Sequence, residues 1–292
     1  MGAALMAALN PAALLKAHGL HPKKSLGQNF LVDPVALDRV VQAAEIRPED
    51  EVLEIGAGLG SLTQRLARTA RRVVAVEIDR SLFPILAANL NGYANVDLQL
   101  GDMLEIDPGE LFASDGYIVA ANIPYYISSA LIRHLLAARV RPARMALTVQ
   151  KEVAERITAA PGHLSILALS IQVFGSARIA ARIPAGAFYP APKVDSAVVR
   201  IDLFPQPAIP PHELDDFFKL VKAGFGQKRK TLRNTLSTGL RLPVETCAGI
   251  LSAAGIDTRR RAETLTIEEW GNLVKACRTA FQDLSGHSPS GM

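Results

Sequence analysis

Between Val52 and about Gln150 the chain alternates short, β-rich apolar runs with stretches of helical spacing. The runs are VLEIG, VVAVEI, VDLQL, YIVAAN and MALTVQ. Strands this short, each followed by a helical stretch, form βαβ units, which predict a parallel sheet. After Ser170 the rhythm changes, because IQVFGSARIAARI and SAVVRIDLF are separated only by a Pro-rich connection. Late strands without a long crossover helix between them predict an antiparallel addition at the sheet edge. The expected fold class is α/β: a Rossmann-like sheet, mostly parallel, with an antiparallel late strand.

The stretch FPQPAIPP, residues 204–211, holds four prolines in eight residues and continues neither a helix nor a central strand. A domain boundary is expected there, with residues 1–205 forming the main domain and 206–292 a smaller one. Beyond the prolines, LDDFFKLVKAGF, PVETCAGILSAAG and TIEEWGNLVKACRTAF carry helical apolar spacing punctuated by Pro243 and Gly255. The small domain is therefore expected to be all α. The tail SGHSPSGM, from about residue 285, lacks apolar periodicity and is expected to be disordered.

A composition of 49% hydrophobic and 21% charged residues over 292 positions argues against disorder, collagen or a membrane array. The longest nearly apolar run, Leu164 to Phe174, falls short of the ~20 residues a spanning helix needs, so no membrane association is expected. The alanine-rich lead has no basic residue before Lys16 and carries Asn10-Pro11, a poor fit to a secretory leader. Cys247 and Cys277 lack the spacing of a zinc or disulfide framework. A reducing, cytoplasmic location and a site without metal follow as expectations, together with a monomeric chain.

The net charge of +4 is unevenly spread: between Asp216 and Glu245 lie seven basic residues and no acid. Such a patch suits an anionic polymer, and Lys228, Arg229, Lys230 and Arg233 are its candidate RNA contacts. The plainer alternative is a solvated helix face.

LEIGAGLGSLT, residues 53–63, places Gly56, Gly58 and Gly60 at the exit of the first parallel strand and before a helix. Positions without side chains let a ligand approach the backbone. Glu77 follows Gly56 by 21 residues and ends VVAVEI, where an acid meets the hydroxyls of a bound ribose. An adenosine-containing cofactor is expected. A dinucleotide dehydrogenase is the competing reading, but the glycines follow GxGxG instead of GxGxxG. Asp102 in QLGDML stands where a carboxylate meets an adenine amine; its alternative is a turn or cap residue.

YIVAAN runs into IPYYISS, so Asn122 lies at the carboxyl end of the fourth predicted strand, where open α/β sheets keep their ligands. An adenine amine is a poor nucleophile because its lone pair is delocalised into the ring. The side-chain oxygen of Asn122 and a backbone carbonyl beside Pro124 can each accept one amine hydrogen, which localises that lone pair. Tyr125 offers a face on which an extruded base stacks, and Phe188 of FYPAPKVDS is the candidate second face or, alternatively, a core aromatic.

Taken together, KKSLGQNFL, LEIGAGLGSLT, VEID, GDML, NIPYYISS, QKEVAERI, FYPAPKVDSAVV and FGQKRKTLRNTL make the sequence closely resemble the bacterial small-subunit rRNA adenine dimethyltransferases, from residue 23 to residue 270. The resemblance implies a class I S-adenosylmethionine-dependent methyltransferase fold and dimethylation of two adjacent adenosines near the 3′ end of 16S rRNA. It also implies a role in small-subunit maturation. Its cofactor contacts fall on Asn29, Leu31, Gly56, Glu77, Asp102 and Asn122, and its base-handling residues on Asn122, Tyr125 and Phe188. Ile123 stands where many members have Leu. Two alternatives remain: a relative that methylates large-subunit rRNA, and a non-catalytic assembly or transcription factor on the same fold. FYPAPKVDSAVV and FGQKRKTLRNTL favour the small-subunit branch over the first, and intact Glu77, Asp102, Asn122 and Tyr125 argue against the second.

Overall fold

A computed structural model of the chain describes residues 9–124 and 126–286. Among them nine strands occur: β1 (Phe30–Leu31), β2 (Glu51–Ile55), β3 (Arg72–Glu77), β4 (Val96–Leu100), β5 (Ile118–Asn122), β6 (Arg144–Gln150), β7 (Gly175–Ile183), β8 (Phe188–Tyr189) and β9 (Ser196–Leu203). Seven form one sheet in the order β4-β3-β2-β5-β6-β9-β7, while β1 and β8 pair as a separate antiparallel ribbon. The five strands from β4 to β6 run parallel, and β9 lies antiparallel on β6, as the late-strand pattern predicts.

Burial follows position in the sheet. The inner strands β2, β3, β5 and β6 are almost continuously buried, as expected where helices cover both faces, whereas the edge strands β4 and β7 carry exposed residues. The apolar run IQVFGSARIAARI divides: Ile171 and Gln172 close a helix, Ile166–Gln172, and the strand begins only at Gly175. Ser165 starts that helix by accepting a hydrogen bond from the Ala168 amide at 3.2 Å, a local cap that continuous apolarity conceals.

The helix Pro34–Ala44 shows how sequence and sheet fit together. Asp33 caps it by accepting the Ala36 amide at 2.7 Å, Pro34 opens it, and Ala36, Leu37, Val40, Ala43 and Ala44 form its buried stripe. At its other end Arg144 of β6 donates to the Ala44 carbonyl at 3.0 Å and to Asp202 of β9 at 2.7 Å. Arg200 also pairs with Asp202 and with Glu45. Orphan helix carbonyls are thereby tied to the antiparallel half of the sheet.

The chain divides into two compact units: residues up to Glu155 with Ser176–Leu203, and Arg156–Gly175 with the chain from Phe204 onward. The proline-rich stretch begins where the second unit resumes, but Arg156–Gly175, which sequence position places in the main domain, belongs with the later helices. Leu164, Ala168, Leu169 and Val173 of that segment join the apolar core built by Phe217, Leu232, Leu251 and Trp270. The Glu263 carbonyl accepts the Gly162 amide at 2.8 Å. Such long-range partners leave no local pattern.

The last helix, Ile267–Gly286, extends through residues 285 and 286, where loss of structure is expected from the sequence. The rest of the tail and residues 1–8 of the alanine-rich lead lie outside the described residues, as does Tyr125. No helix among the described residues is long and apolar enough to cross a membrane.

Candidate active site

The site begins where β2 stops. Beyond Ile55 the amides of Gly56 and Ala57 both donate to the Val76 carbonyl, at 2.9 and 3.2 Å, so the chain turns tightly against the end of β3. Gly56 at φ 75° and Gly58 at φ 59° occupy the left-handed region, where a side chain would be strained. The loop also lies open: a Cβ on Gly56 would have only the Asn122 carbonyl within 4 Å, at 3.7 Å.

Glu77, at the end of β3, is buried beneath this loop. One of its carboxylate oxygens accepts the Gly58 amide at 2.7 Å and the other the Asp79 amide at 2.7 Å. Burial pushes its pKa up, opposed by these two bonds. Each oxygen retains a lone pair for a further donor, such as a ribose hydroxyl.

Asn122 closes β5. Its side-chain nitrogen donates to the Asn29 carbonyl at 2.8 Å, which fixes the amide plane and reserves Oδ1 as the acceptor end. The Pro124 carbonyl is engaged by the Ile127 amide at 3.2 Å and the Ser128 hydroxyl at 3.4 Å. The carbonyl on the other side of Pro124, that of Ile123, is the candidate second acceptor.

Two adjoining cavities bring the predicted residues together. One is lined by Gly27, Asn29, Gly56, Glu77, Asn122 and Pro124, among others. Its neighbour shares Gly56 and Asn122 and adds Leu31 and Glu54. Asp102 lines neither: it sits just past β4, one residue beyond Gly101, whose amide donates to the Glu77 carbonyl at 3.0 Å. One Asp102 oxygen accepts the Leu104 amide at 2.9 Å, so the turn-residue role is real.

Phe188 departs from the expected base-stacking face. It lies opposite Leu31 in the β1–β8 ribbon, is 4% exposed and packs within the main core with Leu37 and Val198. The ribbon turns the ring inward, which is the core-aromatic alternative. Tyr126, next to the expected Tyr125, is 64% exposed.

Several residues here escape sequence reasoning. Ile78 is 46% exposed on the cavity wall beside Glu77, and Leu100 is exposed at the end of the adjacent β4. They offer apolar surface for a purine at the same sheet edge. The apolar residue after the acid in VEID is the only signal for Ile78. Glu54 is buried with Oε2 unpartnered among the described residues, and burial together with the charge of Glu77 pushes its pKa up to about 8. Its carboxyl therefore keeps its proton at neutral pH.

In the second unit, Lys228, Arg229 and Lys230 are exposed on a turn between the helices Leu214–Gly224 and Leu232–Leu240, instead of on a helix face. Arg233 lies within the second of these helices, half-buried, with Nε buried and unpartnered among the described residues. The basic cluster is thus three exposed cations and one that is partly withdrawn.

The chain is similar to known proteins over most of its length. The family model described as Ribosomal RNA adenine dimethylase matches residues 19–278. A Dehalococcoides mccartyi protein named Ribosomal RNA small subunit methyltransferase A is 43% identical over 262 residues, covering 89% of this chain and 90% of its own length. The protein of the same name from Pelotomaculum thermopropionicum is 44% identical over 286 residues, covering 94% and 96%. Among solved structures, a dimethyladenosine transferase from Plasmodium falciparum matches with TM-score 0.73 and 26% identity, over 86% of this chain and 98% of its own. The 23S rRNA methyltransferase ErmE matches with TM-score 0.70 and 28% identity, over 85% and 99%.

Proposed function

The chain belongs to the ribosomal RNA adenine dimethylase family, and on that premise we propose that it dimethylates the amines of two adjacent adenosines near the 3′ end of small-subunit rRNA, using S-adenosylmethionine. The observation that carries this reading is Asn122. Its amide is fixed by the Asn29 carbonyl at the end of β5, beside the open glycine loop and Glu77.

S-adenosylmethionine, when bound, supplies an electrophilic methyl group on its sulfonium. The residues assigned to hold it are Asn29, Leu31, Gly56, Glu77, Asp102 and Asn122, with Ile78 and Leu100 as apolar walls. The open backbone at Gly56 and the remaining lone pairs of Glu77 fit an adenosine-bearing ligand. Asn122 Oδ1 and the Ile123 carbonyl accept the two hydrogens of the target amine, so that its lone pair is drawn out of conjugation and aimed into the cleft. Tyr125 keeps its assignment as the stacking face on the family's pattern, while Phe188, opposite Leu31 in the β1–β8 ribbon, belongs to the buried core.

The small-subunit assignment rests on near full-length identity of 43–44% to proteins named for that activity, against 28% to the 23S enzyme. We assign Lys228, Arg229, Lys230 and Arg233 to the rRNA backbone, and the protein to the cytoplasm with a part in subunit maturation. Incubation with unmethylated small subunits and nucleoside mass analysis tests the proposal. N6,N6-dimethyladenosine in small-subunit rRNA is the expected product. Methylation confined to large-subunit rRNA or DNA would overturn the substrate, and no product at all would favour an assembly role without catalysis.

A further inference from the structure

The segment from Lys23 to Leu31 is tied to the cleft at several points. Its Gly27 lies against Pro124 and Tyr126, for a Cβ there would sit 3.3 Å from the Pro124 side chain and 3.2 Å from the Tyr126 ring. Phe30 covers Gly58, its ring 3.1 Å from where a Cβ would stand. Asn29 supplies the carbonyl that orients Asn122. The segment therefore touches both the glycine loop and the residues around Asn122 and Pro124.

What fastens it is Asp79, which lines neither cavity. Lys23 Nζ donates to Asp79 Oδ1 at 2.6 Å and to the Ser81 hydroxyl at 3.0 Å, while Gln28 Nε2 donates to Asp79 Oδ2 at 2.7 Å. Gln28 Oε1 in turn accepts the Lys23 amide at 2.7 Å, closing the loop between them. Asp79 is 3% exposed, and the Ser81 amide and hydroxyl also donate to Oδ1, at 2.9 and 2.6 Å. Burial disfavours its charge, but the bonds from Lys23, Ser81 and Gln28 outweigh burial and hold its pKa down at about 2.

We propose that Asp79 is a positioning residue that holds residues 23–29 as a strap across the cofactor cleft, and that it governs cofactor affinity and the setting of Asn122 without touching the cofactor. The Asn29–Asn122 bond and the two-residue β1–β8 ribbon are the strap's other regular ties, and both lie at its far end. Loss of the carboxylate, or of its cation, frees the near end. This inference rests on the reading of the cleft as an S-adenosylmethionine site.

The test measures S-adenosylmethionine affinity calorimetrically, with amide hydrogen exchange over residues 24–31, in the full chain and in Lys23→Met, Lys23→Arg and Asp79→Asn. The Lys23 side chain is 45% exposed, so its variants fold even where Asp79→Asn does not. Lys23→Met is expected to weaken binding about tenfold, the scale of one missing charge-assisted bond. It should speed exchange in the strap while β2 stays protected, and it should raise KM for the cofactor but not for rRNA. Lys23→Arg should restore both readouts. No binding by the parent chain would refute the cofactor reading itself. Equal affinity in parent and Lys23→Met would overturn the strap, and so would weakened binding with unchanged exchange.

Discussion

The cleft at the carboxyl ends of the strands and the core of the helical unit are held by opposite means. At the cleft, segments far apart in sequence meet through single polar bonds: Asn122 to Asn29, Glu77 to Gly58, Asp79 to Lys23 and Gln28. In the helical unit, Trp270 is fully buried, its ring 6.3 Å from that of Phe225, among Phe217, Leu232 and Leu273. Gly224 gives it room: a Cβ there would lie 2.7 Å from the indole. Packing of this kind sets stability, whereas the polar ties set where a ligand atom lies. Substitutions in the two regions should therefore separate into loss of fold and loss of chemistry.

The largest effect expected on stability is that of Trp270→Ala. Emptying so large a buried volume costs about 3–5 kcal/mol, so denaturant unfolding of the helical unit should shift strongly. S-adenosylmethionine affinity, measured where the variant is still folded, should change little. Equal loss of both would show that the two regions are not separable.

A smaller effect is expected from neutralising Lys228, Arg229 and Lys230 together. Binding of small-subunit rRNA should weaken, and its slope against log salt should flatten by about 0.7–0.9 for each phosphate that no longer meets a cation. Identical slopes in variant and parent would reduce the cluster to a solvated turn.

A separate effect is one of pH, at Glu54. In the unfolded chain its carboxyl ionises near 4.5, whereas in the folded protein burial holds the proton until about pH 8. A raised folded value means that this group's stabilisation is complete below about 4.5, is lost progressively as pH rises to about 8, and is constant above that. Glu54→Gln does not titrate. Its melting temperature relative to the parent should rise between pH 5 and 8 and then level off; a difference independent of pH would contradict the protonated state.

Much of this was legible in the sequence, for identifiable reasons. The inner strands read as strands because burial on both faces forces continuous apolar runs, and Glu77 and Asn122 are placed by the register those strands impose. The glycine loop is legible because a side chain at φ 75° is strained. Phe188 was not, since a two-residue ribbon has no period and its pairing with Leu31 decides which way the ring faces. Asp79 was hidden for another reason: its partners lie 51 and 56 residues away, and only folding brings them together. The same holds for Arg156–Gly175, whose apolar residues find their core beyond the prolines.

The central claim is that Asn122 activates the adenine amine through an acceptor fixed at the end of β5. Single-turnover methyl transfer to unmethylated small subunits by Asn122→Ala, with rRNA affinity and melting temperature measured alongside, tests it most directly. Loss of one such preorganised partner is expected to slow transfer by about 10²–10³-fold, with rRNA binding retained and melting within a few degrees of the parent. Turnover equal to that of the parent would contradict the account.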